Sequence, residues 1–418
     1  MRVLHLIDLY DPAIGSSIRQ MYQMASRQRA EGVETEVATV TQDPALVGTT
    51  EILGFRVHRF LSSYPIRWRG MVSLRNRRVL GPLRELLSRF RPDVVHSHLI
   101  HTHLSYASLA ESKRAGAAVV FSAHDVMTFC YQKLTCFHGG EALGGLLRDY
   151  EARWQKCIPC QRFRYVPWRN AMIRRVLSES VDVRIAVSDA LRRAIEANRL
   201  GPFRTVYNAI ELEDRPVDPA AIEHFRSKFA LHNTPTIAVA GRIHEQKGHL
   251  QIVKMLPHVR RRVPNAKLVV LGKREHFDLY VRDLAKQLGV LDAIVVTDWL
   301  SGEELRAAYA TVDVLATPST CLDTFGLVNV EAMSYRKPVV GTVFGGTPEV
   351  VEHGVTGYVE NPFDLESFAS RLSELLLEPQ RRQAMGEAGF RRLLERFTMP
   401  RLASETLAIY REALTARR

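Results

Sequence analysis

The sequence predicts an α/β protein with two domains of similar size, each organised around a parallel sheet. Three observations predict this. The chain has 418 residues, enough for two domains of ordinary size. Short apolar runs typical of buried strands alternate with longer stretches in which apolar residues recur at helical spacing. In both halves a loop containing glycine follows the opening strand, as in doubly wound folds.

Composition predicts a globular and distinctly basic chain. Hydrophobic residues make up 46%, so the chain can bury a sizeable core. The net charge is +12, and residues 56–91 hold ten arginines against one acid, Glu85. This density of arginines favours an anionic partner such as a membrane surface, nucleic acid or acidic substrate, although a solvated basic surface is the alternative.

The opening residues lack a signal-peptide pattern and no apolar run has the length of a membrane span, so a cytoplasmic location is expected.

The first half begins with a predicted strand over residues 2–7, and a loop with Gly15 follows, just before a helical stripe. Further strands are predicted at residues 33–40, 93–98 and 117–125. His124 stands at the end of the last of these. Open α/β sheets bind ligands at the carboxyl ends of their strands, so His124 is a candidate for hydrogen bonding to a hydroxyl group.

Four histidines crowd the region that follows residue 95 and raise a metal hypothesis. Their spacing is H-x-H-x-x-H-x-H, formed by His96, His98, His101 and His103. Strand alternation directs His96 and His98 to one face, and no carboxylate lies between them. We therefore expect no metal here, and one of these residues is a candidate for the acceptor side.

The second half opens with a strand, a glycine turn and a basic loop over residues 236–249. Arg242 and Lys247 lie on that loop. Two cations on one loop suit a diphosphate, because arginine provides a fork of donors and lysine a point charge. Further strands are predicted at residues 266–273 and 293–300, and a helix follows at residues 301–310.

The most informative stretch is residues 312–349. A buried strand over residues 312–317 leads into a loop with Asp323, and a helical segment then carries Glu331. Residues seven or eight apart on a helix share one face, so the two carboxylates are expected to address one ligand. A second strand, residues 338–343, leads to Gly345 and Gly346, where the backbone can approach a ligand closely.

Together these motifs resemble the retaining glycosyltransferases of family 4, which have the GT-B fold of two Rossmann-like doubly wound domains facing across a cleft. The family signature has an acidic residue, seven intervening residues and a Glu, then G-x-P-V-V and a G-G-x-x-E turn. Here the first acid is Asp323 rather than Glu, Arg336 replaces the first glycine, and Asp298 stands at another position where glycine is common.

The resemblance implies a hexosyltransferase-type enzyme that moves a sugar from a nucleoside diphosphate sugar, UDP more than GDP, with retention of configuration. A saccharide, lipid-linked molecule or small natural product would accept it, as in polysaccharide biosynthesis. No cofactor is expected to be required, because cationic side chains stand in for a metal. The implied catalytic residues are His124, Asp323, Arg242 and Lys247. The implied donor-binding residues are Gly15, Arg242, Lys247, Trp299, Leu300, Asp323, Thr324, Phe325, Gly326, Leu327 and Glu331.

The implied domains are residues 1–205 on the acceptor side and residues 206–399 for the nucleotide sugar, with a helix at about 400–418 packing back on the first domain.

Two alternatives to the glycosyltransferase function stay open. A sugar-nucleotide epimerase would need paired catalytic acids in the first domain, a pattern that the sequence lacks. A non-catalytic nucleotide-sugar-binding protein would have kept the fold without the activity, and the intact set of Arg242, Lys247 and Glu331 argues against such decay. Nucleic acid is not an expected partner, because no binding motif for it is present.

Two further expectations concern partners and metal. Four residues are candidates for acceptor binding and for peripheral contact with the inner face of an anionic membrane: Arg67, Trp68, Arg69 and Arg75.

Four cysteines have the number expected of a structural zinc site, and the last two form a C-x-x-C pair, with separate thiols as the alternative. They are Cys130, Cys136, Cys157 and Cys160.

Overall fold

A computed structural model describes residues 1–8, 15–213 and 215–416. The chain forms two compact units. The first comprises Met1–Leu134, Tyr150–Ala209 and Met399–Arg418, and the second comprises Thr135–Asp149 and Ile210–Thr398. The sequence analysis put residues 135–149 in the N-terminal domain, but they pack against residues of the second unit, which no local pattern indicates.

The first unit alternates strands and helices, as the sequence predicts. Most of the loop predicted after the first strand lies outside the described residues, at positions 9–14. Elements of this unit are β1 (Arg2–Leu6), α1 (Ser16–Ala30), β2 (Glu34–Thr41), β3 (Gly48–Ile52), β4 (Phe55–Leu61), α2 (Arg69–Val72), α3 (Arg77–Phe90), β5 (Val94–Ser97), α4 (Ala107–Arg114), β6 (Ala118–Ala123), α5 (Trp154–Gln161), α6 (Arg169–Ser180), β7 (Val183–Ala186), α7 (Asp189–Ala197) and β8 (Arg204–Thr205).

In the described residues the first sheet has the order β3-β4-β2-β1-β5-β6-β7-β8. All neighbours pair in parallel except β3, which forms an antiparallel hairpin with β4 that the sequence analysis did not anticipate. From β4 to β7 the order reproduces the doubly wound pattern, whose direction of winding reverses between β1 and β5. Ligands bind at this reversal in open α/β sheets, so the carboxyl ends of β1 and β5 mark a candidate site.

The second unit follows the same plan and contributes the remaining strands. Its elements are α8 (Pro219–Lys228), β9 (Thr236–Ala240), α9 (His249–Arg262), β10 (Lys267–Leu271), α10 (Arg274–Tyr280), α11 (Arg282–Gln287), β11 (Ile294–Val296), α12 (Gly302–Thr311), β12 (Val314–Thr317), α13 (Leu327–Ser334), β13 (Val339–Thr342), α14 (Thr347–Val350), β14 (Gly357–Glu360), α15 (Leu365–Leu377) and α16 (Pro379–Arg396). The last helix, α17 (Met399–Thr415), belongs to the first unit.

The second sheet is parallel throughout, with the order β11-β10-β9-β12-β13-β14 among the described strands. This is the doubly wound order, and the winding reverses between β9 and β12. Because the strands are covered on both faces, they read as nearly continuous apolar runs, which is why the sequence located most of them. The loops after β9 and β12 therefore meet at the reversal point of this sheet.

Each unit has a buried apolar core of its own. In the second unit, residues of β9, β10 and β12 pack with α9 and α15, with Ile237, Leu268 and Leu372 fully buried. In the first unit, α17 supplies part of the core, since Ile409 and Tyr410 are buried beside residues of β1, β5 and β6. Among the described residues, no helix combines the length and the apolar character that a bilayer crossing requires.

Candidate active site

The two loops at the reversal point of the second sheet carry most of the predicted site residues. Arg242 and Lys247 lie on the loop between β9 and α9, and Asp323 lies on the loop between β12 and α13. Gly248 allows these loops to touch, because a Cβ atom at this position would lie 1.8 Å from the carbonyl oxygen of Pro318. A main-chain hydrogen bond of 3.0 Å from Thr320 N to Gln246 O also joins them.

Lys247 and Asp323 form an ion pair in this site, with 2.6 Å between Nζ and Oδ2. The Ser319 hydroxyl donates a longer hydrogen bond, of 3.4 Å, to the same carboxylate oxygen. Burial lowers the pKa of the Lys247 amine, but attraction to Asp323 outweighs this effect and leaves the pKa above its usual value. Lys247 is therefore a fixed cation. The sequence analysis gave these two residues separate roles and did not predict their contact.

Arg242 adds a second positive charge near this pair. Its side chain is exposed, and its charge acts to lower the pKa of Lys247. The two cations therefore influence each other electrostatically. The sequence prediction of a paired basic loop is consistent with this arrangement.

The start of α13 lies against a third loop, the one that follows β13. Gly326 precedes the helix with φ of 76°. In the first turn the N–H of Asn329 donates a 2.9 Å hydrogen bond to the Gly326 carbonyl, whereas the N–H groups before it precede any acceptor within the helix, as at any helix start. Gly346 donates a 2.8 Å hydrogen bond from its N–H to the carbonyl of Asp323. Gly345 has φ of 65°, and a Cβ atom there would lie 2.0 Å from the Asp323 carbonyl oxygen, so this contact requires glycine.

Glu331 lies on α13 and is half-buried. The hydroxyl of Tyr309 donates a 3.0 Å hydrogen bond to its Oε2 atom. Tyr309 in turn stacks on Tyr335, with ring centroids 5.2 Å apart and an interplanar angle of 4°. The carboxylate of Glu331 is thus held by an aromatic support that sequence reasoning missed, because nothing in the spacing of the tyrosines marks it.

The residues predicted to hold a nucleobase follow β11. This strand ends at Val296, so the predicted strand over residues 293–300 is too long, and Trp299 and Leu300 lie in a loop. Trp299 is exposed whereas Leu300 is buried. Asp298 has φ of 69°, in the left-handed region that glycine adopts most easily. The loop therefore has the backbone conformation that a glycine would favour, although the residue is aspartate.

In the first unit, three imidazoles form a hydrogen-bonded series at the reversal point of the sheet. His5 lies on β1, His98 follows β5 and His124 follows β6. The Nδ1 atom of His5 is 3.1 Å from Nε2 of His98, and Nδ1 of His98 is 3.1 Å from Nε2 of His124. Burial lowers the pKa of His5 to about 3 and that of His124 to about 4. All three rings are neutral at pH 7, since burial also holds the pKa of His98 well below its usual value.

His96 belongs to a separate set of hydrogen bonds. Its Nδ1 is 2.6 Å from the hydroxyl of Tyr410 on α17, and its Nε2 is 2.7 Å from that of Ser122. The ring centroids of His96 and His98 are 4.1 Å apart, which confirms that the two share a face. Ligand atoms of His5, His96 and His98 also lie within 4.8 Å of one another, as a metal site would need. Because both nitrogens of His96 and of His98 already have hydrogen-bond partners, we interpret the cluster as a hydrogen-bonded network.

Gly15 directly precedes α1 and is exposed, with φ of 89°. A cavity of about 20 Å³ lies nearby in the first unit, lined by Gln20, His98, His124 and Asn208 among others. That volume is sufficient for a single water molecule. The structure thus places His124 at a small cavity and joins it to His5 through His98. Sequence reasoning could not predict these contacts without the order of the strands.

The four cysteines predicted as zinc ligands are not gathered into one cluster among the described residues. Cys130 and Cys157 are half-buried, whereas Cys136 and Cys160 are exposed, and none forms a disulfide within that part of the chain. Their sulfurs do not belong to the one group of three or more potential ligands found in the described residues. Zinc binding stays a prediction, and it requires these side chains to move together.

Solved structures with the same fold establish its class. Sucrose-phosphate synthase from Thermosynechococcus elongatus matches with a TM-score of 0.75 and 18% identity, over 99% of both chains. Anabaena HepE, solved with UDP-glucose, matches with a TM-score of 0.71 and 18% identity, over 98% of this chain and 99% of that one. At these identities the likeness concerns the fold alone, which is GT-B: two Rossmann-like α/β domains.

Family models identify both halves of the chain. Glycosyltransferase Family 4 matches residues 18–214, and Glycosyl transferases group 1 matches residues 221–392. The GDP-mannose-dependent alpha-(1-6)-phosphatidylinositol monomannoside mannosyltransferase of Mycobacterium tuberculosis is 31% identical over 233 residues, which are 54% of this chain and 60% of that protein. The match thus spans about three fifths of that relative's length. The chain belongs to the family 4 type of glycosyltransferases.

Proposed function

We propose that this protein is a retaining glycosyltransferase that moves a sugar from a nucleoside diphosphate sugar to an acceptor hydroxyl. The observation that carries the proposal is the pairing of Lys247 with Asp323 at the reversal point of the second sheet, beside Arg242 and the start of α13. Cations, a carboxylate and helix N–H groups are then available within one site. Such a combination suits a charged diphosphate joined to a hydroxylated sugar.

The diphosphate is the leaving group, and it gains negative charge as the bond to the sugar breaks. Arg242 and Lys247 would neutralise this charge, and preorganised cations of this kind stabilise a transition state more than a ground state. Glu331 would accept hydrogen bonds from the ribose hydroxyls, because a carboxylate accepts several hydrogen bonds and Tyr309 fixes the orientation of this one. Trp299 and Leu300 would lie against the base.

The sugar would be positioned by Asp323 and by main-chain N–H groups of Thr324, Phe325, Gly326 and Leu327. His124 would contact the sugar from the first domain, as the family resemblance implies. Neutral imidazole suits that role, since it forms a hydrogen bond to a hydroxyl group without adding a charge beside the sugar. Retention of configuration would follow from attack on the face that the diphosphate leaves, with the leaving phosphate accepting the proton of the acceptor hydroxyl.

The nucleoside of the donor is uridine in this proposal, with guanosine as the alternative. The family resemblance favours uridine, whereas the name of the mycobacterial relative gives GDP-mannose as that protein's donor. Both nucleotides therefore belong in the test. Purified protein is incubated with UDP-glucose or GDP-mannose, and release of the nucleoside diphosphate is followed with and without candidate acceptors. Failure to bind or cleave any nucleoside diphosphate sugar would refute the proposal.

The acceptor is proposed to bind the first domain, near its basic stretches. Trp68 and Ile66 are exposed, and the Arg67 guanidinium lies 5.8 Å from the centroid of the Trp68 ring. Exposed aromatic and aliphatic side chains among arginines suit the headgroup region of an anionic membrane, where a lipid-linked acceptor would be found. Arg69 differs from this group, because its Nη2 donates a 2.6 Å hydrogen bond to the Tyr131 carbonyl.

The membrane version of this proposal has a direct test. Cosedimentation with vesicles of phosphatidylglycerol at low salt should exceed that with phosphatidylcholine vesicles, and the double variant Arg67→Ala, Trp68→Ala should lose most of the difference. A variant at Arg91, an exposed arginine at the end of α3, serves as the control for total charge. Equal binding to both vesicles would leave a soluble saccharide or small natural product as the acceptor.

A further inference from the structure

Residues 135–149, here called the strap, belong to the second unit although both flanking segments belong to the first. The strap is anchored at several points. Phe137 is fully buried, and its ring packs edge-on against Phe344 with centroids 5.3 Å apart. The side-chain amide of Asn361 donates a hydrogen bond to the Gly144 carbonyl. Glu141 forms an ion pair of 2.8 Å with Lys254 on α9.

His138 makes the most specific contact of the strap. Its ring is buried and stacks on Phe344, with centroids 5.1 Å apart and an interplanar angle of 18°. The N–H of Gly140 donates a 2.8 Å hydrogen bond to Nδ1 of His138. Nδ1 is therefore an acceptor, and the single proton of the neutral ring lies on Nε2. Nε2 then donates its hydrogen bond to the carbonyl of Thr320.

Both partners of His138 belong to the loops that carry the proposed sugar site. Thr320 is three residues before Asp323, and its own N–H is bonded to Gln246 beside Lys247. Phe344 directly precedes Gly345 and Gly346, which touch the main chain of Asp323. One imidazole thus contacts the loop after β12 by a hydrogen bond and the loop after β13 by stacking. A displacement of His138 would reach Asp323 through either loop.

We propose that the strap is part of the donor site and that His138 is a positioning residue, which holds the Thr320–Asp323 turn so that the Asp323 carboxylate faces the donor sugar. This inference rests on the proposed function of the second unit. It adds a specific consequence: His138 acts on the part of the site that faces the sugar, whereas Arg242 and Lys247 act on the diphosphate. The two contributions should separate when a nucleotide and its sugar conjugate are compared.

The test uses two substitutions at one position. His138→Phe keeps an aromatic ring for Phe344 but removes the donor to Thr320, and His138→Gln keeps an N–H donor at the place of Nε2 but removes the ring. His224→Phe, at an exposed position on α8, is the matched control. Dissociation constants for UDP, UDP-glucose, GDP and GDP-mannose are measured by calorimetry on the full chain, together with the melting temperature.

For the nucleotide sugar that wild-type protein binds, His138→Phe should weaken binding about tenfold, as expected when one hydrogen bond is removed, while the free nucleotide binds as before. His138→Gln should restore most of the affinity. Equal affinity of wild type and His138→Phe for the sugar conjugate would overturn the proposal, as would an equal decrease for nucleotide and conjugate. If wild type binds neither UDP-glucose nor GDP-mannose, the proposed function itself fails, so the two failures are distinguishable.

Discussion

The Lys247 amine and the Asp323 carboxylate, 2.6 Å apart, join two loops that are separated by more than seventy residues of sequence. The pair lies where the winding of the second sheet reverses between β9 and β12. Asp323 stands where the family signature has a glutamate. The shorter side chain still reaches the lysine, because Gly248, Gly345 and Gly346 let the main chains of neighbouring loops approach closely.

Lys247→Ala should remove most transfer activity and weaken the binding of nucleoside diphosphate. Removing a charge-assisted hydrogen bond from such a site costs roughly 1.5–3 kcal/mol, and more when charge builds up on the leaving group. Arg242→Ala should act in the same direction. Calorimetry gives the nucleotide affinity and product release gives the turnover. Lys286→Ala, at an exposed lysine on α11, is the control, and unchanged turnover in Lys247→Ala would contradict the assignment.

Much of this architecture could be predicted from sequence because buried parallel strands are nearly continuous apolar runs. Such runs located β1, β2, β5, β6, β9, β10, β12 and β13 to within a few residues. The hairpin of β3 and β4 was missed, since β3 is mostly polar and exposed, and arginines and a histidine interrupt the apolar residues of β4. Strand β11 was predicted to extend to residue 300, because the apolar pattern continues past the turn at Asp298, but it ends at Val296.

Site residues could be predicted from the sequence only where they lie together in one short segment with a recognisable motif. Arg242, Lys247, Asp323 and Glu331 were found because their spacing matches a known motif. Contacts between distant segments were not accessible, as with His138 and Thr320, 182 residues apart. The same holds for His5 and His98, whose contact depends on β1 lying beside β5 in the sheet. Sequence spacing indicates which residues are candidates for the site. The order of the strands in the sheet determines which of them come into contact.

The buried histidines predict that acid destabilises the protein. Burial lowers the pKa of His5 to about 3 and that of His96 and His98 well below 6.5, so the unfolded chain binds more protons than the folded one below pH 6.5. The free energy of unfolding should then fall as pH drops from 6.5 towards 4, by about 1.4 kcal/mol per pH unit for each such histidine.

Asp8 opposes part of this trend, because burial raises its pKa to about 6 in the folded protein and the folded state then binds the extra proton. Urea unfolding at pH 7, 6 and 5 measures the net slope, which His5→Phe should reduce by about one proton. An unfolding free energy that is the same at pH 7 and pH 5 would show that these rings are not held neutral.

The cysteines give a prediction that separates exposed thiols from zinc ligands. Cys136 and Cys160 are exposed, so their thiols should react quickly with Ellman's reagent, whereas buried Cys321 should react only on unfolding. Metal analysis of the same sample gives the second readout. Protection of Cys136 and Cys160, with close to one zinc released per chain by a mercurial, would instead establish the Cys₄ site that the sequence pattern suggests.

Removal of divalent metal should leave transfer activity nearly unchanged. In the proposed mechanism Arg242 and Lys247 would neutralise the leaving diphosphate, so that no metal ion is needed for this role. The assay compares turnover before and after dialysis against EDTA. Lys247→Ala offers a sharper comparison, because added Mg²⁺ should recover part of its activity by supplying the missing charge, but should not affect wild type. Prompt loss of wild-type activity in EDTA that Mg²⁺ or Mn²⁺ restores would show that the side chains alone do not stabilise the leaving diphosphate.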